Sequence, residues 1–291
     1  MSRSIRGIRE AISFPRFAAF TTGMTISLVM LGIYTAATGS GLACSAQWPL
    51  CDNGLLPQTI PSFIEWFHRL VAMVTGWFIL GTAIWAWRRP GRRTRLAATL
   101  AVCLLPLQIS IGAVTVTLNG LLPRGYSAPT QGAHLVVALT IFSLLVWTTL
   151  SARTERGPSL PRARKALGVA LAAIVVGVFA SRVFTPVPYS PAAQALFYGA
   201  GLVAVAALLA ATRWLATTTV PHLRYAAGLA LVSLFVGMLL GRDLVFYTST
   251  VRLVNAACFA LAAGAVLAAA LLARRARPDG PTGAVVSTRS D

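Results

Sequence analysis

The sequence predicts an all-α membrane protein, and three observations carry that expectation. Of 291 residues, 56% are hydrophobic and 11% charged, too little charge to cover a soluble domain of this size. Eight apolar runs are long enough to cross a hydrocarbon core, which takes roughly 20 helical residues each. They cover about 17–38, 62–87, 95–118, 128–151, 164–183, 191–215, 222–241 and 250–273. The formal charge of +18 is gathered in blocks between these runs. That placement argues against nucleic-acid binding and is the positive-inside pattern of a chain embedded in lipid.

The basic blocks run from Arg3 to Arg16, Arg88 to Arg95, Arg153 to Lys165, Arg213 to Arg224 and Arg274 to Arg289. Each lies after an even-numbered run or at a terminus, so both termini are expected in the cytoplasm. The basic N-terminus lacks the short apolar run and cleavage site of a signal peptide. Glu10 argues against a mitochondrial presequence, so a bacterial plasma membrane is expected. Segments 1–16 and 274–291 read as polar cytoplasmic extensions, with four-helix units over 17–151 and 164–273.

Run one leads into the longest outer loop, from Gly39 to Pro61, where Gly39, Gly41, Pro49 and Gly54 mark turns. This loop carries Cys44 and Cys51, which are either two free thiols or a disulfide; the oxidising side of a membrane favours the disulfide. Run two opens with Glu65-Trp66-Phe67-His68-Arg69. Glu65 and His68 are three apart and share a helix face, and ionisable groups at membrane depth are costly and usually functional. Ala72 and Gly76 follow on the His68 face, leaving room for a neighbouring helix or a flat ligand.

Run three holds Gln108, Gly112, Thr115 and Thr117, with Pro106 expected to kink it. Run four opens Thr130-Gln131-Gly132-Ala133-His134. His68 and His134 each lie about six residues, roughly 9 Å, into parallel even-numbered helices. Two neutral imidazoles at one level across a four-helix bundle suit axial ligation of a haem iron. Gln131 shares the His134 face and is expected to hold its second ring nitrogen. The competing readings are interhelical hydrogen bonding and zinc, which wants more ligands than are near. His222 reads as an interfacial residue, and Cys103 and Cys258 as small core residues.

Taken together, Thr38-Gly39-Ser40-Gly41-Leu42-Ala43-Cys44, Trp48-Pro49-Leu50-Cys51, Glu65-Trp66-Phe67-His68-Arg69, Gln108 with Gly112-Ala113-Val114-Thr115-Val116, and His134-Leu135 resemble the heme A synthase family. The resemblance covers roughly 17–150. It implies two pseudo-symmetric four-helix bundles and conversion of haem O to haem A by oxidation of a ring methyl to a formyl group, with water as the oxygen source. It further implies that His68 and His134 flank the haem iron, that Glu65 is catalytic as a proton acceptor, and that Cys44 and Cys51 pair. Arg69 would meet a haem propionate or Glu65. Expected partners are haem O, haem O synthase, cytochrome oxidase assembly proteins, membrane lipid and an electron acceptor whose identity stays open.

The second half departs from the family, which holds a haem b there between two more histidines. Laying run six on run two sets Gln194 against Glu65 and Phe197 against His68; run eight on run four sets Asn255 near His134. Phe cannot ligate iron and Asn does so poorly, so haem b in this half is doubtful. Arg182, Arg242 and Asp243 at its outer edge read as solvated charges. Two other functions are weighed: a non-catalytic haem-binding carrier or assembly subunit, and a transporter or permease subunit.

Overall fold

A computed structural model describes residues 13–44, 47–117, 127–153, 159–215, 221–242 and 245–275. Residues 1–12, 276–291 and Asp243 lie outside the described residues. The described chain is helical and contains no strand. The helices are α1 (Phe14–Ala37), α2 (Ile60–Trp87), α3 (Arg92–Cys103), α4 (Leu105–Thr117), α5 (Ala128–Ala152), α6 (Leu160–Phe179), α7 (Pro191–Trp214), α8 (Pro221–Leu240) and α9 (Ser249–Arg275). The helix of run three breaks at Leu104, two residues before Pro106, so α3 and α4 share one span.

Seven of these spans are long and apolar enough to cross a membrane, α3 and α4 counting as one. The chain is therefore a multi-pass membrane protein. The eighth, α6, has the length but carries Arg162, Arg164 and Lys165 in its first turns. Arg164 is used locally: its Nε donates to the Ala273 carbonyl at 2.7 Å, capping the C-terminal end of α9.

Local sequence sets the helix starts. Thr59, Ser127 and Ser190 stand at the N-caps of α2, α5 and α7, where each side-chain oxygen accepts from a backbone N–H of the first turn. A proline follows in the first turn of each, with its φ already helical and no N–H to satisfy.

α1 packs on α2 and α5, and α3 packs on the same two helices from the other side. In the second half α6 and α8 each pack on both α7 and α9. α7 joins the halves by packing on α1 and α5. The largest hydrophobic cluster runs through α6, α7, α8 and α9 and into α1 and α5, whereas α2 and α3 contribute only to two small clusters around Ile79, Ala83, Ala86, Ala98 and Ala101.

Phe197 sits at the centre of the second half. Its ring meets Tyr189, Tyr198 and Phe259 edge-on at 6.3, 4.9 and 5.9 Å between centroids. A Cβ added to Gly241 would fall 2.9 Å from Phe197 Cε1, so this glycine lets the backbone of α8 close on the ring. The Tyr198 hydroxyl donates to the Met238 carbonyl at 2.7 Å, satisfying the one polar atom of a buried aromatic.

Two expectations are corrected. Cys103 faces outward rather than into the core, and Cys258 is half-buried. Arg182 and Arg242 are not solvated charges: Arg182 donates to the carbonyls of Arg242 and Val245 at 2.9 and 3.0 Å and lies 4.1 Å over the Tyr247 ring. Arg242 is buried, with Nη2 donating 2.9 Å to Gln131 Oε1 across the junction. Hydropathy alone puts an arginine at a span end in water; here carbonyls and an amide from a neighbouring helix replace that water.

Replacing Phe197 by Ala removes the ring that four helices close upon. The expected loss is about 3–5 kcal/mol, measured as a lower thermal midpoint in detergent, while Leu253→Ala on the outer surface leaves the midpoint unchanged.

Candidate functional site

The outer loop is folded onto the start of α2 by the side chains of that helix. Cys44 and Cys51 form a disulfide, with Cα atoms 4.8 Å apart. Cys51 and Gly54 exchange two backbone hydrogen bonds of 3.0 Å, and Asp52 and Asn53 between them both adopt positive φ. That is a tight two-residue turn at residue types that tolerate it. Asp52 then accepts from the Ser62 hydroxyl at 3.0 Å and from the Gln58 N–H at 2.7 Å. Trp66 Nε1 donates to the Pro49 carbonyl at 3.2 Å.

Glu65 is the centre of this clamp. Its side chain is buried, and Oε2 accepts from the Cys44 N–H at 2.6 Å while Oε1 pairs with Arg69 one turn on. Arg69 also donates 2.7 Å to the Gln47 carbonyl. Of the two roles foreseen for Arg69, the structure places it on Glu65. A buried carboxylate is tolerable only with such partners.

His68 and His134 project from α2 and α5, helices that share α1 and α3 as neighbours from opposite sides. His68 is nine residues past the α2 cap Thr59 and His134 seven past the α5 cap Ser127, a difference of about 3 Å in rise. Glycines receive both rings. A Cβ added to Gly32 on α1 would sit 2.9 Å from His68 Cε1, and one added to Gly112 on α4 would sit 3.3 Å from His134 Cε1.

α2 buries no side chain between Glu65 and Thr75, and α4 buries only Thr115. The Nδ1 atoms of both histidines are buried without a hydrogen-bond partner. His134 Nε2 lies 3.2 Å from Gln108 Nε2. Gln131 is not the partner of His134, because its oxygen is taken by Arg242. The sequence could not show this: which glutamine meets the ring depends on the neighbouring helix, and α4 supplies Gln108. The signal was the polar stripe of run three, not the face shared within run four. Among the described residues no three His, Cys, Asp or Glu side chains converge as a metal site. His222 is exposed at the start of α8.

In the second half other residues stand against glycines. Gly177 on α6 faces Phe197 as Gly32 faces His68, and Gly237 on α8 faces Asn255 and Phe259 as Gly112 faces His134. Gln194 is buried with Nε2 3.4 Å from the Tyr189 carbonyl, and Asn255 Nδ2 donates 3.0 Å to the Tyr247 hydroxyl.

Fold and site together define a multi-pass helical membrane protein in which a disulfide-bonded loop is held onto a buried carboxylate, one turn before His68. Residues 58–183 match the family model described as Cytochrome oxidase assembly protein (COX15-CtaA). Heme A synthase of Bacillus licheniformis is 35% identical over 133 residues, covering 45% of this chain and 42% of that protein. Heme A synthase of Geobacillus kaustophilus is 33% identical over 138 residues. Protoheme IX farnesyltransferase of Halobacterium salinarum is 40% identical over 139 residues, 46% of this chain and 30% of that protein. The chain is thus similar to heme A synthases over slightly less than half of its length; it spans less than half the length of the curated relatives it matches. No solved structure matches it.

Arg69→Gln leaves the Glu65 carboxylate buried without its cation. The expected cost is about 3 kcal/mol in stability, read as a lower thermal midpoint in detergent. The double variant Glu65→Gln/Arg69→Gln removes both charges and is expected to recover most of it.

Proposed function

We propose that this chain is a haem-modifying membrane oxidoreductase of the heme A synthase type, converting haem O to haem A. The observation that carries the reading is that α2 and α5, which share α1 and α3 as neighbours, each bear one histidine seated against a glycine of another helix, with Glu65 one turn before His68. The group fits these residues on three counts. Two imidazoles are the donor set of a six-coordinate haem. Gly32 and Gly112 stand where a Cβ would meet the rings, and both Nδ1 atoms still want a partner. Between Glu65 and Thr75 α2 buries no side chain, and α4 buries only Thr115, which leaves this stretch of both helices to be covered by another apolar group.

When bound, the haem would supply the redox-active ring whose methyl group is oxidised to formyl with water as the oxygen source, four electrons leaving to an external acceptor. The protein supplies position and a proton acceptor. His68 and His134 would hold the iron. Glu65, bonded to Arg69 and the Cys44 N–H, keeps further lone pairs to accept a proton from the methyl group or from attacking water. The disulfide loop covers the outer mouth and limits the access of bulk water.

The two halves form two pseudo-symmetric four-helix bundles, as the matching glycine positions suggest, divided at about 151–164. The second bundle takes no haem: Phe197 and Phe259 occupy its middle, and Asn255 stands where His134 stands in the first. The charge blocks favour cytoplasmic termini in a bacterial plasma membrane. Haem O synthase and oxidase assembly proteins are the natural neighbours of such an enzyme. A second reading, prenyl transfer to haem, follows from the farnesyltransferase relatives, but 70% of that Halobacterium protein lies outside the match.

The test is pigment extraction after incubating the full chain in detergent with haem O and an oxidant, and separately with haem B and farnesyl diphosphate. Haem A from the first mixture is expected. Haem O from the second would replace this reading with the transferase, and unchanged pigment in both would leave a haem carrier. Glu65→Gln is expected to retain bound haem and lower haem A formation by about a hundredfold or more; full turnover in that variant removes Glu65 from the reaction.

A further inference from the structure

A second polar cavity lies at the other end of the first four helices. Its volume is about 410 Å³. It is about 30 Å from His68, by the helical rise along α2 to Arg89, so it is separate from the two-histidine site. The start of α1, the turn between α2 and α3 and the end of α5 converge there, contributing Arg16, Arg89 and Arg153 with Ser13, Thr94 and Ser151. Among the described residues no carboxylate lines it.

Two further features point at a ligand. α1 begins with no acidic residue in its first turn and no side-chain hydrogen bond from its N-cap Ser13, so the positive end of a 24-residue helix opens toward the same space. Independently, Ser151 is 4% exposed and its hydroxyl is buried with no hydrogen-bond partner. A buried hydroxyl left in that state is uncommon in a folded protein. Three guanidinium groups, a helix N-terminus and an unspent hydroxyl make a donor-rich cradle, the chemistry that suits a phosphate group.

We propose that this cavity binds a phosphate group at the basic end of the bundle, carried either by an anionic phospholipid or by free phosphate. Arg16, Arg89 and Arg153 supply charge, and Ser151 supplies a directed hydrogen bond. Basic pockets between helices on the cytoplasmic side are suited to lipid headgroups. The site needs no haem, so its fate is independent of the reaction proposed above.

The experiment uses the full chain in neutral detergent with three probes: phosphatidylglycerol, phosphatidylcholine and inorganic phosphate. Binding is read by native mass spectrometry and by the shift in thermal midpoint. One phosphatidylglycerol per chain is expected to be retained, with phosphatidylcholine washed off. Competition by millimolar inorganic phosphate would assign the cavity to free phosphate; its failure to compete assigns it to the headgroup. Arg89→Gln/Arg153→Gln is expected to weaken binding about twentyfold, and Ser151→Ala about tenfold. Arg274→Gln/Arg275→Gln, at the exposed end of α9, is expected to change it little. Equal losses in the two arginine pairs, or full affinity in Ser151→Ala, would show only diffuse basic charge and overturn the proposal.

Discussion

A carboxylate buried at the mouth of a membrane helix has to be satisfied, and the outer part of this protein is arranged around how Glu65 is. One oxygen takes the Cys44 N–H, the other takes Arg69, and Arg69 takes a loop carbonyl. That set of bonds fixes the disulfide loop onto α2 and sets the turn of helix on which His68 stands. The same bonds hold Glu65 one turn before His68. Under the proposed function a structural and a chemical role fall on one side chain, and partial loss of the clamp would disturb both.

The helices were legible because lipid imposes a simple rule: roughly 20 apolar residues, then a basic or turn-forming stretch. All eight expected spans correspond to helical segments, with ends shifted by a few residues where proline and a capping Ser or Thr set the start. The pairing of Cys44 with Cys51 and of Arg69 with Glu65 was also within reach, since both are local. What the residues could not reveal were contacts made between helices. Gln108 rather than Gln131 meets His134, Arg242 crosses from the second half to hold Gln131, and Cys103 points outward. Each depends on the rotation of one helix against another, which hydropathy does not fix.

Glycines seat side chains in both halves, with different contents. Gly32 and Gly112 meet His68 and His134, and Gly177 and Gly237 meet Phe197, Asn255 and Phe259. In the first half the seated residues are imidazoles. In the second they are Phe197, Asn255 and Phe259, joined by Tyr189 and Tyr198 in a dense aromatic centre. The packed half adjoins α1 and α5 through α7, so it supports two helices of the other. Its buried Arg242 bonds Gln131, three residues before His134 on α5, which ties the supporting half to that helix.

The account stands on two histidines from different helices holding one haem. Electron paramagnetic resonance of the ferric, haem-loaded chain tests it most directly, combined with a haem-to-protein ratio. One haem per chain with a low-spin, bis-histidine signal is expected, converted to high spin by either His68→Ala or His134→Ala. A high-spin signal in the unaltered protein, or a low-spin signal surviving both substitutions, would contradict the account.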